Sequence, residues 1–219
     1  IATMMIWATP VLANCKALPA SGVDWAGCSK KLIMLPGATL NDAKLTGTDL
    51  TSTDLANAML DGADLDEANL TMTSLKDASL AGATLRKTYG SRTNLTGAQL
   101  PGANLAAVEF YRADFTGANL AGSNMAKSGL PRGNFSNANL TSVDLSKSDV
   151  IRSTFNGANM TGANLTYAIL ARASFAGAKL KGSNWTRAYL YHTDLSQTDL
   201  SGVTGLTQDQ LKEACGDDK

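Results

Sequence analysis

Hydrophobic positions along this chain recur every five residues. From Leu40 to Leu200 each residue whose number is a multiple of five is apolar, with Gly90 the one exception. Of these 33 positions 23 are Leu, and all five Phe of the chain fall among them. Two residues before each centre stands Ala, Ser, Thr, Gly or Val. The residue just before the centre is often Asn or Asp, as in Ala68-Asn69-Leu70. A period of five matches neither the 3.6-residue stripe of a helix nor the alternation of a strand. It predicts a solenoid whose short sides each turn one large and one small residue inward.

Longer ladders give the number of sides. Phe115, Phe135, Phe155 and Phe175 recur every 20 residues, and so do Arg92, Arg112, Arg132, Arg152 and Arg172. Gly recurs at the same interval at Gly62, Gly82, Gly102 and Gly122, then at Gly162, Gly182 and Gly202 after Ser142. Four five-residue sides therefore make one turn. The Phe ladder is expected to stack inside the coil. Gly90 is expected to make room for Phe110 one turn on. Asn or Asp before a centre can bond local backbone groups in the turns.

Units such as Ala118-Asn119-Leu120-Ala121-Gly122 resemble the pentapeptide repeat family, and they continue without insertion from residue 36 to residue 204. The resemblance implies an all-β solenoid, a right-handed quadrilateral parallel β-helix of about eight turns over 36–204. Residues 14–35 read as an N-terminal cap with degenerate repeats, plugged by Trp25. Residues 205–219 read as a C-terminal capping helix and tail. There Gly205 ends the register and Thr207-Gln208-Asp209-Gln210 forms a capping-box pattern. Leu206 and Leu211 are placed for a hydrophobic staple and Gly216 for a stop, predicting a short helix over about Gln208 to Cys215.

The opening 1–13 is apolar and uncharged, and ends in Val11-Leu12-Ala13. It reads as a signal-peptide remnant without a basic start, or else as an apolar N-terminal tail. The first reading predicts export to a periplasm, an extracellular space or an equivalent lumen; without a signal peptide the protein would be cytoplasmic. No stretch reaches the roughly 20 apolar residues of a membrane span. Cys15, Cys28 and Cys215 fit no metal motif by spacing. In an oxidising space Cys15 and Cys28 could be joined, and Cys28 could equally be a small buried thiol.

Charge changes the picture only after the register is known. The chain carries 19 Lys plus Arg against 19 Asp plus Glu, so it is no uniform polyelectrolyte. By segment the net charge is +2 for 1–35, −6 for 36–85, +8 for 86–192 and −4 for 193–219. The five Arg of the 20-residue ladder project from one edge of the coil. Lys87, Lys127, Lys147 and Arg187 occupy the equivalent position on the adjoining side. Tyr89, Tyr111, Tyr189 and Tyr191 flank the column.

No enzyme is expected. His192 is the only histidine and sits at an outward position, so no nucleophile finds a histidine base. No cofactor, metal or small-molecule substrate is expected either. The organised basic strip points to an anionic partner, an unidentified protein or an anionic polymer: an acidic protein face, an anionic polysaccharide or lipid head groups. The competing reading is duplication of one unit, with Glu109, Asp114 and Asp149 as partial ion-pair partners. The family resemblance implies two further options. One is a DNA mimic that binds gyrase, a type II topoisomerase, which the basic middle and the apolar opening weigh against. The other is a homodimer through residues 206–219. An ice-binding face would need a Thr ladder that the sequence lacks, and a chain that is neutral taken whole is not expected to bind nucleic acid in general.

Overall fold

The computed structural model describes residues 13–215, so the apolar opening up to Leu12 and the proposed stop at Gly216 lie outside the described residues. The coil is the expected right-handed quadrilateral β-helix. Parallel bridges join residues 20 apart on every side, from Asp24↔Lys44 through to Asn184↔Thr204. Pairing therefore starts at Asp24, inside the stretch read from sequence as cap and degenerate repeats. Most sides contribute a single bridging residue. Two run longer as strands, β1 (Tyr89–Ser91) and β2 (Glu109–Tyr111), parallel and in register Tyr89↔Glu109.

Most corners are built the same way. The carbonyl of a centre accepts from the N–H three residues on, as in Ala43 N to Leu40 O at 3.1 Å. The third residue of that turn has positive φ, for example 65° at Gly122 and 60° at Arg132, the pattern of a type II turn. Glycine enters this conformation freely, whereas a side chain there costs about 1 kcal/mol. Before the centre, Asp or Asn closes a second small ring. Asp114 Oδ1 accepts from the Thr116 N–H at 2.9 Å, as the sequence pattern anticipated.

The interior is a dry column of centres and small residues, essentially without exposure from Leu40 to Leu190. Phe115, Phe135, Phe155 and Phe175 stack face to face with centroids 4.6 to 4.8 Å apart and planes within 7°. Burying each such ring or Leu contributes about 1.5–3 kcal/mol. Buried Thr hydroxyls reach back one turn to a carbonyl, as in Thr73 Oγ1 to Leu50 O at 2.7 Å. At Gly90 a Cβ would strike Thr93 Oγ1 and come within 3.2 Å of the Leu70 carbonyl group, so the turn itself leaves no room for a side chain.

Both ends are closed by Trp. Trp25 is buried in the first turn, its Nε1–H bonded to Ala17 O at 3.2 Å, and Cys15 and Cys28 are joined as a disulfide over it. Lys30 occupies a centre position. Its ammonium lies 3.7 Å from the Trp25 ring centroid and donates to Cys15 O at 2.8 Å, and burial pulls its pKa down. At the other end Trp185 meets Phe175 edge-on, with centroids 5.1 Å apart. The helix α1 (Gln208–Cys215) covers that turn. Its capping box is formed: Gln210 N–H donates to Thr207 Oγ1 at 3.2 Å, and Thr207 N–H to Gln210 Oε1 at 2.9 Å. Gln210 Nε2 also donates to Ala188 O at 2.8 Å, tying the helix to the coil. Among the described residues no helix is long and apolar enough to cross a membrane.

Candidate functional site: a basic edge on a rigid coil

Arg92, Arg112, Arg132, Arg152 and Arg172 all stand at the corner position with positive φ, between 57° and 60°. The backbone thus aims five exposed side chains outward from one edge, one per turn, over about 19 Å of rod. On two of the other three edges the same position is mostly Gly, Asn or Asp, residues that enter this conformation with less strain. Lys87, Lys127, Lys147 and Arg187 stand at the corner of the preceding edge, also exposed and also with positive φ.

The expected partial partners do not neutralise the Arg column. Among the described residues, no cation from Arg92 to Arg187 lies within 4.0 Å of a carboxylate. Asp114 is taken up by Thr116, whose N–H and hydroxyl both bond its Oδ1. Asp149 Oδ1 accepts from the Ile151 N–H at 2.9 Å. Arg112 lies 5.3 Å from the Tyr111 ring centroid, a weak cation–π contact. Arg187 lies 5.4 Å from the Tyr167 ring and donates to the Tyr167 hydroxyl at 2.6 Å. Lys87 departs from its column: its ammonium pairs with Glu67 at 3.6 Å.

The acidic turns behave differently. Asp66 is buried and accepts from the Arg86 Nε–H at 2.7 Å, the Arg86 N–H at 2.7 Å and the Thr84 hydroxyl. Burial pushes the Asp66 carboxyl up, but the Arg86 and Thr84 hydrogen bonds together outweigh it and hold the pKa below the usual carboxylate range. Asp49 follows the same logic, with burial opposed by bonds from Lys31 and Thr51. His192 is exposed; its backbone N–H donates to Glu213 O at 2.9 Å, another tie between coil and helix. Among the described residues no cluster of His, Cys, Asp and Glu could hold a metal ion.

The sequence did not reveal that the basic edge borders hollows in the surface. One of about 450 Å³ lies at Gly129, between Lys127, Lys147, Tyr111 and Pro131. Another of about 300 Å³ lies along Arg132, Arg152 and Arg172. The signal was available in the lone Gly129 of its ladder, but the many corner glycines mask it.

No curated protein matches the chain. Among solved structures, it is similar to HetL of the cyanobacterium Nostoc sp. strain PCC 7120, a pentapeptide repeat protein involved in heterocyst differentiation regulation. The two share 27% identity over 80% of this chain and 88% of that one, with a TM-score of 0.55. A trypsin-treated variant of QnrB1, a plasmid-mediated fluoroquinolone resistance protein, shares the fold at 21% identity. That match covers 84% of this chain and 95% of the other, with a TM-score of 0.66. The family description "Pentapeptide repeats (8 copies)" matches residues 35–71, 73–110, 91–128 and 109–146, and "Pentapeptide repeat region" matches 128–204. Repeat period, corner geometry and family match agree over almost the whole coil, and the chain belongs to the pentapeptide repeat family.

Proposed function

We propose that this protein is a non-enzymatic interaction module of an exported space, a rigid rod that docks an anionic partner through its Arg column. The observation that carries the reading is the choice of residue at the corners. Five Arg occupy left-handed positions where Gly would be less strained, they repel one another, and they make no ion pair among the described residues. Neither fold stability nor local pairing accounts for them. Guanidinium groups bind carboxylate, sulfate or phosphate through paired hydrogen bonds, which suits a docking edge.

The Cys15–Cys28 disulfide supports an oxidising space, as does the apolar opening. A duplex-DNA mimic would need its carboxylates free along the rod. Here few lie in the middle of the coil, and two in the acidic turns, Asp49 and Asp66, are occupied by Lys31 and by Thr84 and Arg86. The test is retention on immobilised heparin at low salt. The native protein is expected to be retained and to elute with rising salt, and the triple variant Arg112→Glu, Arg132→Glu, Arg152→Glu to flow through. Equal retention of the two proteins would overturn the reading.

A further inference from the structure

One side of the coil, lying between the two basic columns, carries a groove that the fold itself does not require. Its outward positions run Glu109, Gly129, Asp149, Ile169 and Tyr189 along one line. The next line runs Tyr111, Pro131, Ile151, Ala171 and Tyr191. The hollow at Gly129 lies between Glu109 and Asp149 and is bounded by Lys127 and Lys147. The hollow at Ala171 shares Pro131 with it and ends at Tyr189 and Tyr191. Together they extend over about 19 Å from Tyr111 to Tyr191.

Gly129 separates a groove from an accident of packing. Fifteen described glycines have positive φ and serve corners, and Gly205, also with positive φ, ends the register. Gly90 and Gly133 are hemmed in, the latter by Phe135 Cε2, which a Cβ would approach to 2.9 Å. Gly129 has neither reason. Its φ lies outside the left-handed region, and a Cβ there would meet nothing nearer than Glu109 Cγ and Val108 O at 4.0 Å. An extended, sterically open position favours a β-branched or aromatic residue. Glycine there opens the hollow and weakens the sheet.

The groove repeats its charges once per turn, and the stacked Phe rings measure that interval as 4.6 to 4.8 Å. Each strand of duplex DNA offers a phosphate about every 3.4 Å along the helix axis, out of step with the coil. An extended peptide offers same-side residues about every 6.6 Å, too far apart. A pyranose ring linked through its opposite carbons advances by close to one turn of this coil, and because successive rings turn over, same-side groups recur close to every second turn. The groove also mixes its groups. Arg132, Arg152, Arg172, Lys127 and Lys147 donate to acid groups. Glu109 and Asp149 would repel a bare polyanion, but they accept hydrogen bonds from hydroxyls. Tyr189 and Tyr191, half-exposed with rings 6.3 Å apart and 7° from parallel, offer flat faces of the kind sugar rings stack on, and Tyr111 offers another.

Resting on the docking reading above, we infer that the partner is a linear acidic polysaccharide of the uronate type. It lies along the groove with the carboxylate of every second ring on the Arg column, close to two turns apart. Its hydroxyls bond Glu109 and Asp149, and its end rings stack on the tyrosines. About four sugars fill the groove, since it spans four turn intervals.

The test is calorimetric titration of the full chain with tetragalacturonate, tripolyphosphate and neutral maltotetraose. Tetragalacturonate is expected to bind at least ten-fold more tightly than tripolyphosphate, and maltotetraose not to bind. Filling the groove with Gly129→Leu, or separately with Ala171→Leu, is expected to weaken tetragalacturonate binding at least ten-fold and leave retention on a sulfonate cation exchanger, which needs no groove, intact. Thermal melts check that each variant is folded. Equal affinity for the two anions, or unchanged tetragalacturonate binding in both folded variants, overturns the uronate assignment and leaves the docking edge standing if heparin still retains the protein. Failure of heparin to retain the native protein overturns both.

Discussion

The turns before residue 88 and the turns after it use the same corners for opposite purposes. In the first group, cations and carboxylates meet: Lys31 with Asp49 at 2.8 Å, Lys44 with Asp24 at 3.9 Å, Arg86 with Asp66, and Lys87 with Glu67 at 3.6 Å. In the second, up to Arg187, no such pair exists among the described residues although the net charge is strongly positive. The interior beneath is continuous, so packing cannot account for the contrast. Charge in the first region is spent on the fold, and charge in the second stands unpaired among the described residues.

The largest expected effect tests whether the two regions share one core. Phe135→Ala should destabilise the coil by about 3–5 kcal/mol, and Leu65→Ala by about 2–5 kcal/mol, in urea unfolding. A Phe135→Ala loss near zero would mean that the basic turns are held by something other than their ring stack. Next, reducing the Cys15–Cys28 disulfide should remove about 2–4 kcal/mol, because a 13-residue separation constrains the unfolded chain. The same chemical denaturation under reducing conditions measures it.

The ion pairs come third. Asp66→Ala should cost about 1–3 kcal/mol, since it strands donors of Arg86 and Thr84. The pKa of Asp66 is lowered in the fold, so its contribution is present above the ordinary carboxylate pKa. It is lost as pH falls below about 4 and through the lowered value. Melting temperature of the native protein should therefore drop across that acid range, and Asp66→Ala should flatten the drop. The smallest effect sharpens the comparison most. Arg132→Gly should stabilise the coil by about 0.5–1 kcal/mol through relief of a left-handed side chain, and reduce heparin retention at the same time. A destabilised Arg132→Gly would place the column among the supports of the fold.

The architecture was legible because it is written locally. Every fifth residue reports its own burial, and Thr207 with Gln210 announces the cap that forms. The start of the coil was harder to read. Lys30 stands at a centre, where its ammonium is accommodated by the Trp25 ring and the Cys15 carbonyl, contacts between turns that no local pattern encodes. Gly90 hides its tight contacts for a similar reason, since they come from Thr93 and the previous turn's Leu70. The Arg column was visible from its period. Its lack of ion pairs was not, because Asp114 and Asp149 lie close in the repeat but are engaged by their own turns. The groove escaped notice because Gly129, although off the corner register, is one of many glycines, and the hollows beside it depend on how side chains of successive turns stack.

The near-identical corners also bear on how such a rod can change over time. Arg112, Arg132 and Arg152 share one backbone conformation, and the segments between them are joined by the same bridges to the turns on either side. A block of 20 residues can therefore be excised or duplicated with both lids untouched. Each such event would alter the reach of the protein by one graduation and its valency by one guanidinium. Binding strength would then be set by counting, as in a ruler cut to length, rather than by reshaping a site.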